Sequence, residues 1–230
     1  MKRRILVLSC FVVLGVFLVF YNKRMGDSTG NKKASEEVYN RLGSKGFKRV
    51  DVLGKELKSS NNFNSDNSNM ATACMAYEPT MKNYIKHADA IIKGEVTGIE
   101  YFDCNGIPWS RVSVSVQDII YGNVEDEICI YLMEGFLYNG MDRNSLSAFS
   151  SDNIGLHNTG DISVFVLSME NGENTFEKGS YQRTFGAYSE YRYMKDKEEY
   201  YIDDTRIEGN LSETELISKI KYFIGKSNKK

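Results

Sequence analysis

Residues 112–122 read Val-Ser-Val-Ser-Val-Gln-Asp-Ile-Ile-Tyr-Gly. Val112, Val114 and Val116 fall on one face, and Ser113, Ser115 and Gln117 on the other. That period of two belongs to a strand with one face in a core and the other toward water. Upstream, Phe102-Asp103-Cys104-Asn105-Gly106 carries Asn-Gly, a strong short turn signal, and it is preceded by an apolar strand from Ala90 to Glu100. Gly94 and Gly98 inside that strand mark bulge or bend points. Downstream, Tyr121-Gly122-Asn123 turns the chain into Glu127–Met133, where Ile128, Ile130 and Leu132 point inward and Cys129 and Tyr131 take the opposite face.

The pattern continues beyond these three strands. Residues 134–160 are rich in Gly, Asn, Ser and Asp and read as a long insertion, a length associated with functional or disordered loops. Asp161–Met169 is nearly continuously apolar, which predicts a fourth strand buried on both faces. Asn171–Asn174 reads as a hairpin tip, and Thr184–Met194 and Glu199–Ile202 close the β region. Helices flank it. Pro79 leads a short one with Met81, Tyr84, Ile85 and Ala88 on one face. Ser212 and Glu215 form a capping box for a C-terminal one, with Leu211 placed to staple onto Leu216. The fold expected is mainly β.

The N-terminus carries a different message. Lys2, Arg3 and Arg4 precede an apolar run from Ile5 to Tyr21, closed by Lys23 and Arg24. As a helix that run spans roughly 26 Å, close to a hydrocarbon core of about 30 Å. It is longer than a usual signal-peptide core and ends on basic residues, so it reads as a single-pass anchor with the rest of the chain on the extracytoplasmic side. A cleaved signal peptide and a lipoprotein processed at Cys10 are the alternatives. Three regions are expected: an anchor over 1–24, a polar stalk with a weak helix and a linker over 25–69, and one domain over 70–230.

Composition narrows the function. A net charge of −2 offers no footprint for nucleic acid. Fifteen Tyr and twelve Phe against two Pro and two His suit an antiparallel β protein. Outside the anchor stand Cys74, Cys104 and Cys129, with no spacing that suggests zinc. If a bridge forms, Cys74–Cys104 is the first choice, since both flank the same strand, and Cys129 reads as a buried strand residue. No cofactor is expected.

The order of elements resembles the tissue-inhibitor-of-metalloproteinases (netrin-like) barrel. The resemblance runs from Cys74-Met-Ala-Tyr-Glu-Pro79 and His87-Ala-Asp-Ala-Ile-Ile-Lys-Gly-Glu-Val96 through Val112–Gly122 and Glu127–Leu132 to Gly160–Leu167. It implies an OB-like five-stranded antiparallel barrel with a short N-terminal and a C-terminal helix, a fold that hosts many kinds of binding. Met75 and Ala76 follow Cys74 where the family has Cys-x-Cys, so the resemblance extends to the barrel and not to a zinc-chelating terminal cysteine.

Two functional readings follow. Tyr188, Tyr191 and Tyr193, with Arg192 among them, are candidates for a face that stacks on sugars or anchors a protein partner. The chain is then a non-catalytic module for an envelope protein or glycan, held to the membrane by residues 5–21. The alternative is an envelope hydrolase using His157, close in sequence to Asp152, Asp161, Ser145, Ser147, Ser150 and Ser151. No G-x-S-x-G, H-E-x-x-H or S-x-x-K motif accompanies that set, so the enzyme reading stays second.

Overall fold

The structure is a computed structural model and describes residues 36, 38–62, 80–150, 155–169, 176–201 and 209–227. The expected anchor, Cys74 and the 171–174 hairpin tip lie outside the described residues. None of the described helices is long and apolar enough to cross a membrane. Two units divide the chain, 1–45 and 46–230. In the first, residues 38–44 form a helix, α1.

The second unit is built on a closed five-strand barrel. Its strands are β3 (Ala90–Cys104), β4 (Ile107–Tyr121), β5 (Glu127–Leu132), β8 (Ile162–Met169) and β9 (Tyr181–Ala187). Their cyclic order is β3-β4-β5-β9-β8, with β8 pairing back onto β3. This order is compatible with an OB-like barrel. It also corrects one expectation: the barrel is mixed rather than antiparallel. The last strand enters between the third and the fourth, runs antiparallel to β8, and therefore lies parallel to β5.

Side-chain alternation fills the interior as the sequence implied. Val112 and Val114 from β4 meet Ile128 and Ile130 from β5 and Phe165 from β8, all buried. The long β3 must coil to close the barrel, and its pairing with β4 shifts register at Lys93/Gly94 and at Val96/Gly98. A Cβ on Gly94 would collide with the Val114 side chain, so only glycine lets the two backbones approach here.

A second core lies outside the barrel wall. β8 presents Phe165 and Leu167 inward and Val164 and Val166 outward, and all four are fully buried. The outward pair is covered by α2 (Met81–Lys86) and α3 (Glu213–Ser227), which bring Tyr84, Ile85, Leu216 and Ile220 into the same cluster. Burying a Leu or Ile side chain contributes roughly 1.5–3 kcal/mol, enough for a few such contacts to hold a helix of this size. The start of α3 is fixed as its sequence indicated: the Glu215 carboxylate accepts from Ser212 N at 3.0 Å and from its hydroxyl at 2.7 Å.

Two regions depart from the sequence reading. Residues 134–160 are not simply a loop: β6 (Gly135–Asn139) and β7 (Asp142–Ser150) form a hairpin turning at Gly140-Met141. Within the segment read as a stalk, β1 (Phe47–Val50) pairs with β3, and β2 (Glu56–Asn62) runs parallel to β7. The terminal apolar segment 184–194 is likewise broken: β9 is followed by a turn and by β10 (Glu190–Met194), which pairs with β8. A two-residue strand, β11 (Glu199–Tyr200), completes the edge beyond β10.

Candidate functional site

β10 decides the fate of most of the residues singled out in the sequence. Its alternation places Tyr191 and Tyr193 toward the helix-covered core and Glu190 and Arg192 on the other face. Tyr191 is 1% exposed, and Tyr188 and Tyr193 are half-buried against the same core. The expected tyrosine face is therefore mostly packed under α2 and α3 and offers no open ring at Tyr191. Arg192 is buried as well, donating to the Gly155 carbonyl at 2.8 Å.

The opposite face of β10 belongs to a buried ionic cluster centred on His157. Its Nδ1 lies 2.8 Å from Glu134 Oε1, and its Nε2 lies 2.7 Å from Glu190 Oε1. Arg183 bridges the same two carboxylates, at 2.9 Å to Glu190 Oε2 and 3.3 Å to Glu134 Oε2. Ser163 donates its hydroxyl to Glu190 Oε1 at 2.8 Å. One nitrogen of Arg192 lies 3.3 Å from Nδ1 and 3.1 Å from Nε2. An atom that close to both ring nitrogens cannot lie in the ring plane, because the carbon between them blocks it. The guanidinium must rest on the ring face.

Electrostatics fix the protonation state of this cluster. Burial opposes charge on His157, but the Glu190 and Glu134 carboxylates outweigh it and lift the imidazole to about 9. Burial likewise opposes ionisation of Glu134, yet His157 and Arg183 bring it down to about 2. Glu190 is also held well below the carboxylate range by His157 and Arg192, against its burial. His157 is thus an imidazolium with both N–H groups donated to carboxylates. It has no lone pair with which to accept a proton from a nucleophile, as a general base must.

Ser145, Ser147 and Asp161 of the hydrolase reading have partners outside the cluster, and Ser151 lies outside the described residues. Ser145 donates to Asp142 at 2.8 Å, Ser147 donates to Asn139, and Asp161 accepts the Asn158 backbone N–H at 2.8 Å. Asp152 lies outside the described residues. Among the described residues no set of His, Cys, Asp and Glu side chains is placed to hold a metal ion. Cys104 sits half-buried at the end of β3, and its expected partner, Cys74, lies outside the described residues.

An open cleft lies elsewhere among the described residues, along the seam where β5 meets β9. A cleft of about 360 Å³ lies between Val124, Glu125, Glu127 and Cys129 on one side and Lys178 and Tyr181 on the other. Its inner wall is secured by Glu177, which accepts from Arg111 through both carboxylate oxygens, at 2.8 and 3.0 Å, and from the Tyr131 hydroxyl at 3.0 Å. Phe176 stacks on Tyr131 with centroids 4.5 Å apart and packs edge-on against Phe47. Burial pushes the Cys129 thiol up, so it is a poor nucleophile at neutral pH.

No protein-family model matches the chain, and no curated protein sequence matches it. The functional reading therefore rests on the geometry above. Nothing in the sequence joins Glu134, Arg183 and Glu190, since each lies in a different stretch of the chain. Only Glu190 and Arg192 share a period-two face that hints at burial within an otherwise apolar strand.

Proposed function

We propose that the chain is a membrane-tethered, extracytoplasmic binding module that carries out no covalent chemistry and takes an envelope protein or polysaccharide at the β5–β9 seam. The observation that carries this reading is the seam cleft itself. It is concave, fixed on one side by the Glu177–Arg111 pair, and rimmed by the exposed Glu125 and Glu127. Its volume falls at the lower end of the roughly 300–1,000 Å³ typical of ligand sites. The tether is supported by the apolar run from Ile5 to Tyr21 between basic flanks. The succession of helix, closed five-strand barrel and C-terminal helix supports the netrin-like resemblance as the parent architecture.

Photo-crosslinking tests the reading. A benzophenone amino acid placed at Val124 or Lys178 of the full-length protein in its own envelope should capture a partner or a glycan. The same probe at Tyr222, on the exposed side of α3, should not. Equal capture at all three positions, or capture at Tyr222 alone, refutes the seam as the site. Deleting residues 1–24 should release the protein from the membrane fraction, and retention there would refute the tether.

A further inference from the structure

The seam cleft has an unusual wall. β5 pairs with β4 along its whole length, from Ser115↔Glu127 to Ser110↔Leu132. On its other side it meets β9 at only Ile130↔Tyr181 and Tyr131↔Gln182. Among the described residues Glu127–Cys129 therefore has a strand on one side only, and its second edge borders the cleft. The facing segment cannot close the gap, because it is locked in a turn. Ser180 donates its backbone N–H to the Glu177 carbonyl at 3.1 Å and its hydroxyl to the same oxygen at 2.7 Å. Glu177 in turn is held by Arg111 and Tyr131.

We infer that this slot receives an extended peptide strand bearing basic side chains, which adds to the open edge of β5. The inference deepens the binding reading above and rests on it. An open strand edge beside a cleft is the geometry of strand addition, where backbone hydrogen bonds give affinity and alternate side chains give selectivity. Charge supplies the selectivity here. Glu125, Asp126 and Glu127 are all exposed and form no ion pair among the described residues, and Lys178 is the one base in the lining. Val124 and the 37%-exposed Met169 add apolar surface for alternate side chains of the incoming strand. A sugar is less well served. Tyr181, the one aromatic ring in the lining, is 4% exposed, so no open ring face is available for stacking.

The test uses ¹⁵N-labelled full-length protein and the peptide acetyl-(Lys-Val)4-amide. Amide shifts are expected at Glu127–Cys129 and Lys178–Ser180. N-methylating alternate backbone nitrogens should abolish binding, and acetyl-(Glu-Val)4-amide should not bind. Reversing two exposed charges, Glu125→Lys with Glu127→Lys, should weaken the basic peptide about tenfold, a modest loss because both charges sit on a solvated rim. Unchanged amide shifts outside the cleft show that this variant is folded. Equal binding of the N-methylated peptide, shifts confined to other strands, or an affinity within twofold for the charge-reversed variant overturns strand addition. Binding of N-acetylglucosamine oligomers at the same amides without the peptide overturns this inference and leaves the binding module standing. No shift in any arm, together with no crosslink at Val124 or Lys178, overturns both.

Discussion

Replacing His157 with Gln should remove the part of the pH dependence of stability that this imidazole gives the wild type between pH 6.5 and 9. The folded protein holds this imidazole at about 9 against an ordinary value of 6.5. A group raised on folding contributes fully below its unfolded value and loses that contribution as pH rises toward its folded value. The wild type should therefore lose stability between pH 6.5 and 9, at about 1.4 kcal/mol per pH unit and about 3 kcal/mol in all. The groups facing the ring are Glu134 beyond β5, Arg183 of β9, and Glu190 and Arg192 of β10. Both carboxylates lie below that pH range, so they add a separate loss only in acid, as pH falls below their usual range.

Urea denaturation at a series of pH values measures this, with the fluorescence of Trp109, the only tryptophan, as the signal. Removing one member of a buried ionic set costs roughly 3–5 kcal/mol, so His157→Gln should fall short of the wild type by that amount near pH 6. The gap should then narrow by about 3 kcal/mol on going to pH 9.5, because the wild type alone loses the imidazolium. Contributions common to both proteins cancel in the difference. A gap that stays constant from pH 6 to pH 9.5 would refute the claim that His157 is a structural cation.

Three further outcomes follow from the packing. Glu177→Ala removes the bidentate partner of Arg111, where both side chains are only 16–21% exposed, and should lower stability by about 1–3 kcal/mol. It should also change Trp109 emission, because Phe176, 4.9 Å from that ring, loses its anchor; an unchanged spectrum and an unchanged urea midpoint would count against the latch. Gly94→Ala drives a methyl into Val114 at the barrel bend and should cost about 1–3 kcal/mol in the same titration, with a neutral result showing that the bend can relax. Ser110→Ala removes a buried hydroxyl that finds no partner among the described residues, so its midpoint should hold or rise, and a large loss would reveal a hidden partner.

Local periodicity made the barrel legible and could not do the same for its attachments. Val112–Gln117 and Ile128–Leu132 alternate because one face meets the core, and Val164–Leu167 is an unbroken apolar run because β8 is covered by barrel and helices alike. The capping box at Ser212 is read from four consecutive residues and forms as read. β2, in contrast, is Glu-Leu-Lys-Ser-Ser-Asn-Asn, and its strand character comes from pairing with β7, some 85–90 residues away. The β6–β7 hairpin did carry a signal. Asn139-Gly140 repeats the dipeptide of Asn105-Gly106, though here Asn139 still pairs with Asp142 and the chain turns one residue later, and the serine-rich flank of β7 masked it. The ionic cluster was the hardest to foresee, since its members come from five separate stretches of chain and each is ordinary by itself. The packing of the tyrosines was hidden for a related reason: their alternation along β10 shows that two faces exist, and only the tertiary structure shows that the aromatic one lies against the helices.

The charged residues and the open cleft share a single cause in the topology. Inserting β9 between β5 and β8 forces a parallel contact, and parallel ladders are slightly weaker per residue than antiparallel ones. Here that contact has only two register pairs, Ile130↔Tyr181 and Tyr131↔Gln182. Ion pairs bracket it at both ends. Arg183, just past the paired residues of β9, reaches Glu134, just past the end of β5. Glu177, just before β9, is gripped by Arg111 of β4 and Tyr131 of β5. Closure at this seam thus depends on two charged clamps where the other seams use longer ladders. A clamp holds the two strands at fixed points without lining up their backbones in between and beyond, and among the described residues that leaves the edge at Glu127–Cys129 with no second strand. The buried histidine and the acidic cleft are then two results of one short seam: the first secures its C-terminal end, and the second is the space left at its N-terminal end.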